Sequence, residues 1–242
     1  MTEEQAVEFL RKKGWGLITP QTYLIDVEPD FKEAWELVSP FTMISPERAY
    51  AISQALDYLE GNNISGDIVE CGVWRGGACM LAARLILQRN YRKRAFWLYD
   101  TFEGMTEPTE DDIIAASGQP VAERNPLGWW AVSEDEVRAN LERTGYDKER
   151  YTLVKGDVCQ TLEDSVPEGP IALLRLDTDW YESTKKEMEV LFPKLARGGV
   201  LLLDDYGHFK GAAKGVDEYF ASLGLTPLLQ RVDYTGRLYI KN

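Results

Sequence analysis

The chain has a single histidine, only three cysteines, and 27 Lys and Arg against 40 Asp and Glu among its 242 residues. It has no run of 18 apolar residues. Each shortage removes a class of function. Cys71, Cys79 and Cys159 are odd in number and form no Cys-x-x-Cys, so no disulfide framework is expected. They read as reduced thiols of a cytoplasmic protein. With His208 alone, the chain lacks the His/Cys set that zinc prefers. The missing apolar run argues against a membrane span, and Met-Thr-Glu-Glu-Gln-Ala at the start lacks the basic-then-apolar pattern of a signal peptide. A net charge of -13 disfavours nucleic acid and anionic membranes as partners, which leaves a small molecule. Whether copies of the chain associate stays open. Gly-x-Gly-x-x-Gly is absent too, and no phosphate-binding Lys follows the first glycine-rich turn.

A hydrophobic share of 44% is enough for one sizeable core. Short amphipathic helices are expected from Glu3 to about Lys13 and from Phe31 to Leu37, with an irregular stretch between them running to Pro29. Both would belong to an N-terminal extension over residues 1–44. Ser45-Pro46 predicts a helix start, with Ser as N-cap and Pro at the first helical position, and Gly61 its end. The chain then alternates. Strands are predicted at 67–71, 95–99, 151–155, 171–176 and 199–203, and helices at 77–88, 134–143, 182–195 and 212–223. Two short runs, 226–230 and 237–240, flank the turn-like Asp233-Tyr-Thr-Gly and predict a terminal antiparallel pair. The pattern is that of an α/β chain, one domain over 1–242, with a doubly wound, mostly parallel seven-stranded sheet. Residues 101–133 show no periodicity and leave the carboxyl end of a strand, so they are expected to form a lid loop.

The acids carry the chemistry. Asp177 follows the apolar run ending at Leu176, and Asp204-Asp205 follow Val200-Leu-Leu-Leu. In a parallel sheet all three project from one carboxyl edge, where open α/β sheets bind ligands. Carboxylates brought that close repel unless some are protonated or a cation joins them, and oxygen-only ligands suit Mg2+ or Mn2+. Capping of the following segments would explain one acid per strand end, but not three with a fourth, Asp179, two residues on. The turn Ile68-Val-Glu-Cys-Gly-Val-Trp-Arg-Gly-Gly places Glu70 where it can favour a cationic ligand. Gly72, Gly76 and Gly77 let a ligand approach the backbone. A structural Arg paired with Glu70 is the plain alternative.

Asp100 ends the second strand, where an acid binds the diol of an adenosine ribose. Gly156-Asp157 offers a further polar edge, or else Asp157 caps the next helix. Together these describe a nucleoside pocket without a pyrophosphate, as S-adenosylmethionine requires. Trp74, Trp129, Trp130, Trp180 and Tyr181 are candidates for an aromatic wall, with Trp180-Tyr181 the best placed. His208 is either a partly exposed loop residue or a catalytic one.

Five segments carry a resemblance: Thr42-Met-Ile-Ser-Pro-Glu-Arg, Val69-Glu-Cys-Gly-Val-Trp-Arg-Gly-Gly, Tyr99-Asp-Thr-Phe-Glu-Gly-Met, Leu176-Asp-Thr-Asp-Trp-Tyr-Glu-Ser-Thr and Leu203-Asp-Asp-Tyr-Gly. Over residues 40 to 222 the chain resembles the macrocin O-methyltransferase (TylF/MycF-like) family of Mg2+-dependent natural-product O-methyltransferases. The resemblance implies the Rossmann-like class I methyltransferase fold and S-adenosylmethionine as cofactor. It implies that Glu70, Asp100 and Asp157 contact that cofactor, with Met43 and Ser45 near it and Gly72, Gly76, Thr101, Gly156 and Asp177 along its site. It also implies that Asp177, Asp204 and Asp205 hold Mg2+ and that Asp177 or Asp179 is the base, with His208 as the third candidate. The expected acceptor is a hydroxyl of a natural-product sugar on an antibiotic glycoside, with a catechol-like phenol as the alternative. A nicotinamide-dependent oxidoreductase and a non-catalytic adenosylmethionine-binding protein are the rival readings from other classes.

Overall fold

The computed structural model describes residues 2–14 and 27–242. The expected irregular stretch before Pro29 lies largely outside them. Seven strands form one sheet in the order β3-β2-β1-β4-β5-β7-β6. They are β1 (Asp67–Cys71), β2 (Phe96–Asp100), β3 (Tyr151–Lys155), β4 (Ile171–Leu176), β5 (Leu195–Leu203), β6 (Gln230–Arg231) and β7 (Arg237–Ile240). Strands β1 to β5 pair in parallel, and β7 pairs antiparallel with both β5 and β6. The chain runs outward from β1 to β3 and then returns to start β4 on the other side of β1. This reversal opens a crevice at the carboxyl ends of β1 and β4, where ligands of doubly wound sheets bind.

The central strands are buried on both faces, and their side chains alternate between two apolar layers. Ile68, Phe96, Leu98, Leu173, Val200 and Leu202 face helices α2 (Pro29–Val38), α3 (Pro46–Gly61) and α4 (Gly77–Gln88). Val69, Tyr99, Leu174, Leu176, Leu201 and Leu203 face α7 (Tyr181–Val190) and α8 (Lys210–Ser222). Between these come α5 (Glu134–Glu142) and α6 (Val158–Thr161), and α1 is Glu3–Lys12. Thr2 and Gln5 form a capping box at the start of α1. Among the described residues no helix is long and apolar enough to cross a membrane.

Several elements depart from expectation. Helix α2 begins at Pro29, in the position that suits proline. Its Phe31, Ala34 and Val38 are fully buried in the main core, so this helix is more than an appendage. Helix α7 stops at Val190 because Pro193 imposes a 3-10 turn, Phe192–Lys194. Strand β5 consequently starts at Leu195. The run 226–230 yields only the two-residue β6, since Leu228 is 86% exposed and has no apolar layer to meet.

The 101–133 segment divides in two. Its first part is tied down: Ile114 and Val121 pack with Trp180, Phe209 and Ala212 in a small core. Fully buried Asp112 accepts from the backbone N–H groups of Tyr181 (2.8 Å) and Thr109 (2.7 Å). In the second part Leu127, Trp129 and Trp130 stand exposed.

Candidate active site

A cavity of about 290 Å³ lies over the carboxyl ends of β1, β2, β4 and β5. On its β1–β3 side the backbone is shaped by glycine and by Asp100. Gly72 sits at φ +81, and a Cβ there would fall 1.9 Å from the Asp177 carbonyl oxygen, so no other residue fits. Asp100 Oδ2 accepts from the N–H groups of Val73 (2.7 Å) and Trp74 (3.0 Å), and Oδ1 from Phe102 (2.7 Å). These bonds hold Trp74 and Phe102 in the left-handed region, at φ 47 and 53. Asp100 therefore braces two turns at once while still facing the cavity. Asp157 is both a helix cap and a cavity residue. Its Oδ1 caps α6 by accepting from the Cys159 N–H at 2.9 Å, and its side chain borders the cavity.

Met43, Thr101 and Gly156 also line the cavity. Ser45 and Gly76 are not among the lining residues. Ser45 Oγ accepts from the Arg48 N–H (3.1 Å) as the α3 cap and donates to Asp233 Oδ2 (2.7 Å). Gly76, at φ +89, starts α4. Both organise backbone rather than the cavity wall.

On the β4–β5 side the fold gathers charge. Arg175 is the penultimate residue of fully buried β4 and binds Glu70 Oε1 (2.6 Å), Asp177 Oδ2 (2.8 Å) and Asp204 Oδ1 (2.7 Å). Burial opposes its charge, but Asp177, Asp204 and Glu70 outweigh that and hold it firmly protonated. Glu70 thus has the structural arginine that was its plain alternative. Burial pushes its carboxyl up to about 7 against the pull of Arg175. Arg48 on α3 reaches the other oxygen of Asp204 and also Asp233 Oδ2, at 3.0 Å for the latter.

Asp177, Asp179 and Asp205 converge: one oxygen from each lies within 4.8 Å of the others. Burial and mutual repulsion raise all three, Asp177 and Asp205 well above the usual carboxylate range and Asp179 to about 7. Asp205 Oδ2 is buried without a hydrogen-bond partner. Asp179 is held in the left-handed region at φ 69, a conformation that costs energy for a non-glycine residue. The trio singled out from sequence contained Asp204 instead of Asp179. Here Asp204 is turned to Arg175 and Arg48, and the acid that lies near Asp177 and Asp205 is Asp179.

His208 lines the cavity, with Nδ1 3.5 Å from the Tyr234 hydroxyl and its ring edge-on to Phe209. Burial, then Arg124 and Arg48, lower its pKa below the usual value, so it is neutral at pH 7. Of the five aromatic candidates, Trp74, Trp129 and Trp130 line the cavity, whereas the pair that looked best placed, Trp180-Tyr181, does not. Trp180 is 3% exposed, packs on Phe209 and donates to the Thr106 carbonyl (3.1 Å). Tyr181 donates to Glu218 Oε2 (2.7 Å). The aromatic lining comes from Trp74, Trp129, Trp130, Phe209 and Tyr234. Sequence reasoning also missed Arg48, Arg175 and Asp233. Arg175 had a signal, since a charge inside an apolar strand requires a partner.

The sequence profile of the Macrocin-O-methyltransferase (TylF) family matches residues 32–241. Demethyldecarbamoylnovobiocin O-methyltransferase of Streptomyces niveus is 36% identical over 198 residues, 81% of this chain and 73% of that one. The 8-demethyl-8-(2,3-dimethoxy-alpha-L-rhamnosyl)-tetracenomycin-C 4'-O-methyltransferase of Streptomyces olivaceus is 32% identical over 221 residues, covering 89% and 83%. Among solved structures, the O-methyltransferase NovP superposes with a TM-score of 0.70 at 34% identity, covering 83% of this chain and 82% of that one. CalS11, a calicheamicin methyltransferase, shares the fold at 20% identity, with a TM-score of 0.63 and coverage of 94% and 95%. A match over residues 32–241, nearly the whole described fold, places this chain in the macrocin-O-methyltransferase family.

Proposed function

We propose that this O-methyltransferase transfers the methyl group of S-adenosylmethionine to a hydroxyl of a natural-product sugar, with Mg2+ or Mn2+ bound among its β4–β5 acids. The observation that carries the reading is the convergence of Asp177, Asp179 and Asp205 within 4.8 Å, with one oxygen of Asp205 left without a protein donor. Carboxylates so placed are stable together only if protonated or joined by a cation, and an all-oxygen set is what Mg2+ or Mn2+ takes. Such an ion would stabilise an acceptor hydroxyl as it loses its proton. Asp177 and Asp205 are common to the trio expected from sequence and the trio the fold assembles. The third place lies between Asp204 and Asp179, and whichever does not hold the ion is free for another role.

The chain's own residues supply the rest. Asp100, Asp157 and the Gly72 turn border the part of the cavity suited to a nucleoside, and Glu70 lies under it. Asp179, Asp177 and His208 all border the cavity and are the candidates to take the proton. The backbone contact between Gly72 and Asp177 keeps the nucleoside half and the acid half of the cavity at a fixed separation, which favours a positioned displacement. Trp129 and Trp130, on the exposed part of 101–133, border the outer cavity and suit the remainder of a glycoside. The relatives' names, which specify novobiocin and rhamnosyl-tetracenomycin substrates, support a glycoside acceptor. The aromatic lining would equally seat a flat catechol.

Metal titration of Asp179→Asn and Asp204→Asn decides the third place: the true ligand loses cation affinity, and the other variant keeps it. Comparing a sugar diol with a catechol as acceptor separates the two substrate classes. Full methyl transfer in excess chelator, with no cation uptake by the native protein, would overturn the metal assignment.

A further inference from the structure

Beneath the acidic turn, on the side away from the cavity, α7 carries an acid that the mechanism above does not use. Glu187 is fully buried, beside Cys71 and Thr178. Burying a carboxyl costs several kcal/mol unless it is neutral or well bonded, so its presence on an apolar helix face requires a reason. Of these two partners, Thr178 is the informative one. Thr178 Oγ1 lies 2.9 Å from Glu187 Oε1, and Thr178 is the residue between Asp177 and Asp179. The same hydroxyl lies 2.8 Å from Ser183 Oγ. Having one proton, it donates to one of them at a time, while Ser183 donates to the Trp180 carbonyl at 3.1 Å.

Elsewhere the turn is held by backbone and by Arg175, which binds Asp177 Oδ2 at 2.8 Å. Asp177 N–H donates to the Cys71 carbonyl (2.9 Å), and Trp180 N–H to the Thr178 carbonyl (2.8 Å). At its centre Asp179 keeps its left-handed conformation, which relaxes unless surrounding contacts over-determine it. Thr178 is the only residue of the turn whose side chain is anchored from beneath by α7 among the described contacts.

We propose that Glu187 is a positioning residue: by holding Thr178 it fixes the Asp177–Thr178–Asp179 turn so that the two carboxylates converge with Asp205 on one ligand. The inference rests on the proposed role of those acids. Burial, against the pull of Thr178 and Cys71, raises Glu187 to about 8. It can therefore sit neutral behind the cluster without adding to its negative charge.

Three variants test it: Glu187→Leu, which removes the acceptor at similar volume; Glu187→Gln, which retains it; and Thr178→Val, which removes the donor. Residues that orient metal-binding carboxylates typically contribute about 10-fold to 100-fold in affinity or activity. Glu187→Leu is expected to lose about that much in Mn2+ affinity by calorimetry and in kcat. Its adenosylmethionine affinity and acceptor KM should stay within about twofold, and Glu187→Gln should recover most of the loss. Thr178→Val should match Glu187→Leu, and the double variant should lose no more than either single one.

Native Mn2+ affinity and kcat in Glu187→Leu, or an equal loss of adenosylmethionine affinity indicating general loosening, would overturn the proposal. If Glu187→Leu does not fold, unchanged Mn2+ affinity and kcat in Thr178→Val would overturn it alone. A native protein that methylates without taking up Mn2+ removes the cation from the functional reading, and kcat then decides for Glu187. A native protein that does neither overturns both.

Discussion

The two halves of the sheet's carboxyl edge treat the same residue type in opposite ways. On the β1–β3 half, Asp100 accepts from three backbone N–H groups and Asp157 from one, so these acids build turns. On the β4–β5 half, Asp177, Asp179 and Asp205 face one another, and Asp205 Oδ2 has no partner. Arg175 stands at the boundary and answers Glu70, Asp177 and Asp204 together. A carboxylate supplied with donors serves architecture. Under the proposed function, the partnerless oxygen of Asp205 is kept for a bound cation.

The sharpest way to break this contrast is to remove the boundary cation. Arg175→Met leaves Glu70 buried without its partner and Asp204 with Arg48 alone, and breaking a buried pair costs about 3–5 kcal/mol. For a chain of this size that lowers Tm by roughly 10 °C, read by thermal melting. An unchanged Tm would mean that Arg48 alone balances the cluster. Next in size is Asp205→Asn. It should reduce methyl transfer at least about 100-fold, since an ion's stabilisation of charge is worth several kcal/mol. It should also leave the melting temperature unchanged or higher, because repulsion is relieved. Asp100→Asn, on the other half, should show no such stabilisation.

A third test uses pH. Glu187 is raised to about 8 in the folded chain from an ordinary value of 4.5. The folded state therefore holds an extra proton between these values, and stability falls as pH rises through that window. Glu187→Gln removes the slope. Between pH 5.5 and 7 the variant should gain about 2 kcal/mol relative to the native chain, measured by denaturant titration; parallel pH profiles would contradict it. Asp100→Ala should then weaken adenosylmethionine binding by about 1–2 kcal/mol, as three N–H groups lose their acceptor, read by calorimetry. The smallest effect is expected at the rim. Trp130→Ala should raise acceptor KM by about 1 kcal/mol equivalent, roughly fivefold, with cofactor affinity intact.

The sheet and the acids were legible because their signals are local: short apolar runs, those of β2, β4 and β5 closed by Asp, with helical patterns between. Arg175, Asp233 and Glu187 were not. The role of Arg175 depends on Glu70, 105 positions away, and that of Asp233 on Ser45, 188 away. Only the folded register brings them together. Trp180-Tyr181 misled for a related reason. Adjacency to the acids suggested the cavity, but the strained turn at Asp179 sends Trp180 into the small core with Phe209. The choice between Asp179 and Asp204 as third member was likewise beyond local pattern, because it depends on where Arg48 and Arg175 reach.

The contact between Gly72 and the Asp177 carbonyl limits how this enzyme can diversify. A wall made of two touching backbones has no side chain to exchange, so neither drift nor an engineer can reshape the cavity there. Under the proposed function, new acceptors are instead accommodated at the rim, where Trp129 and Trp130 border the cavity and stand exposed.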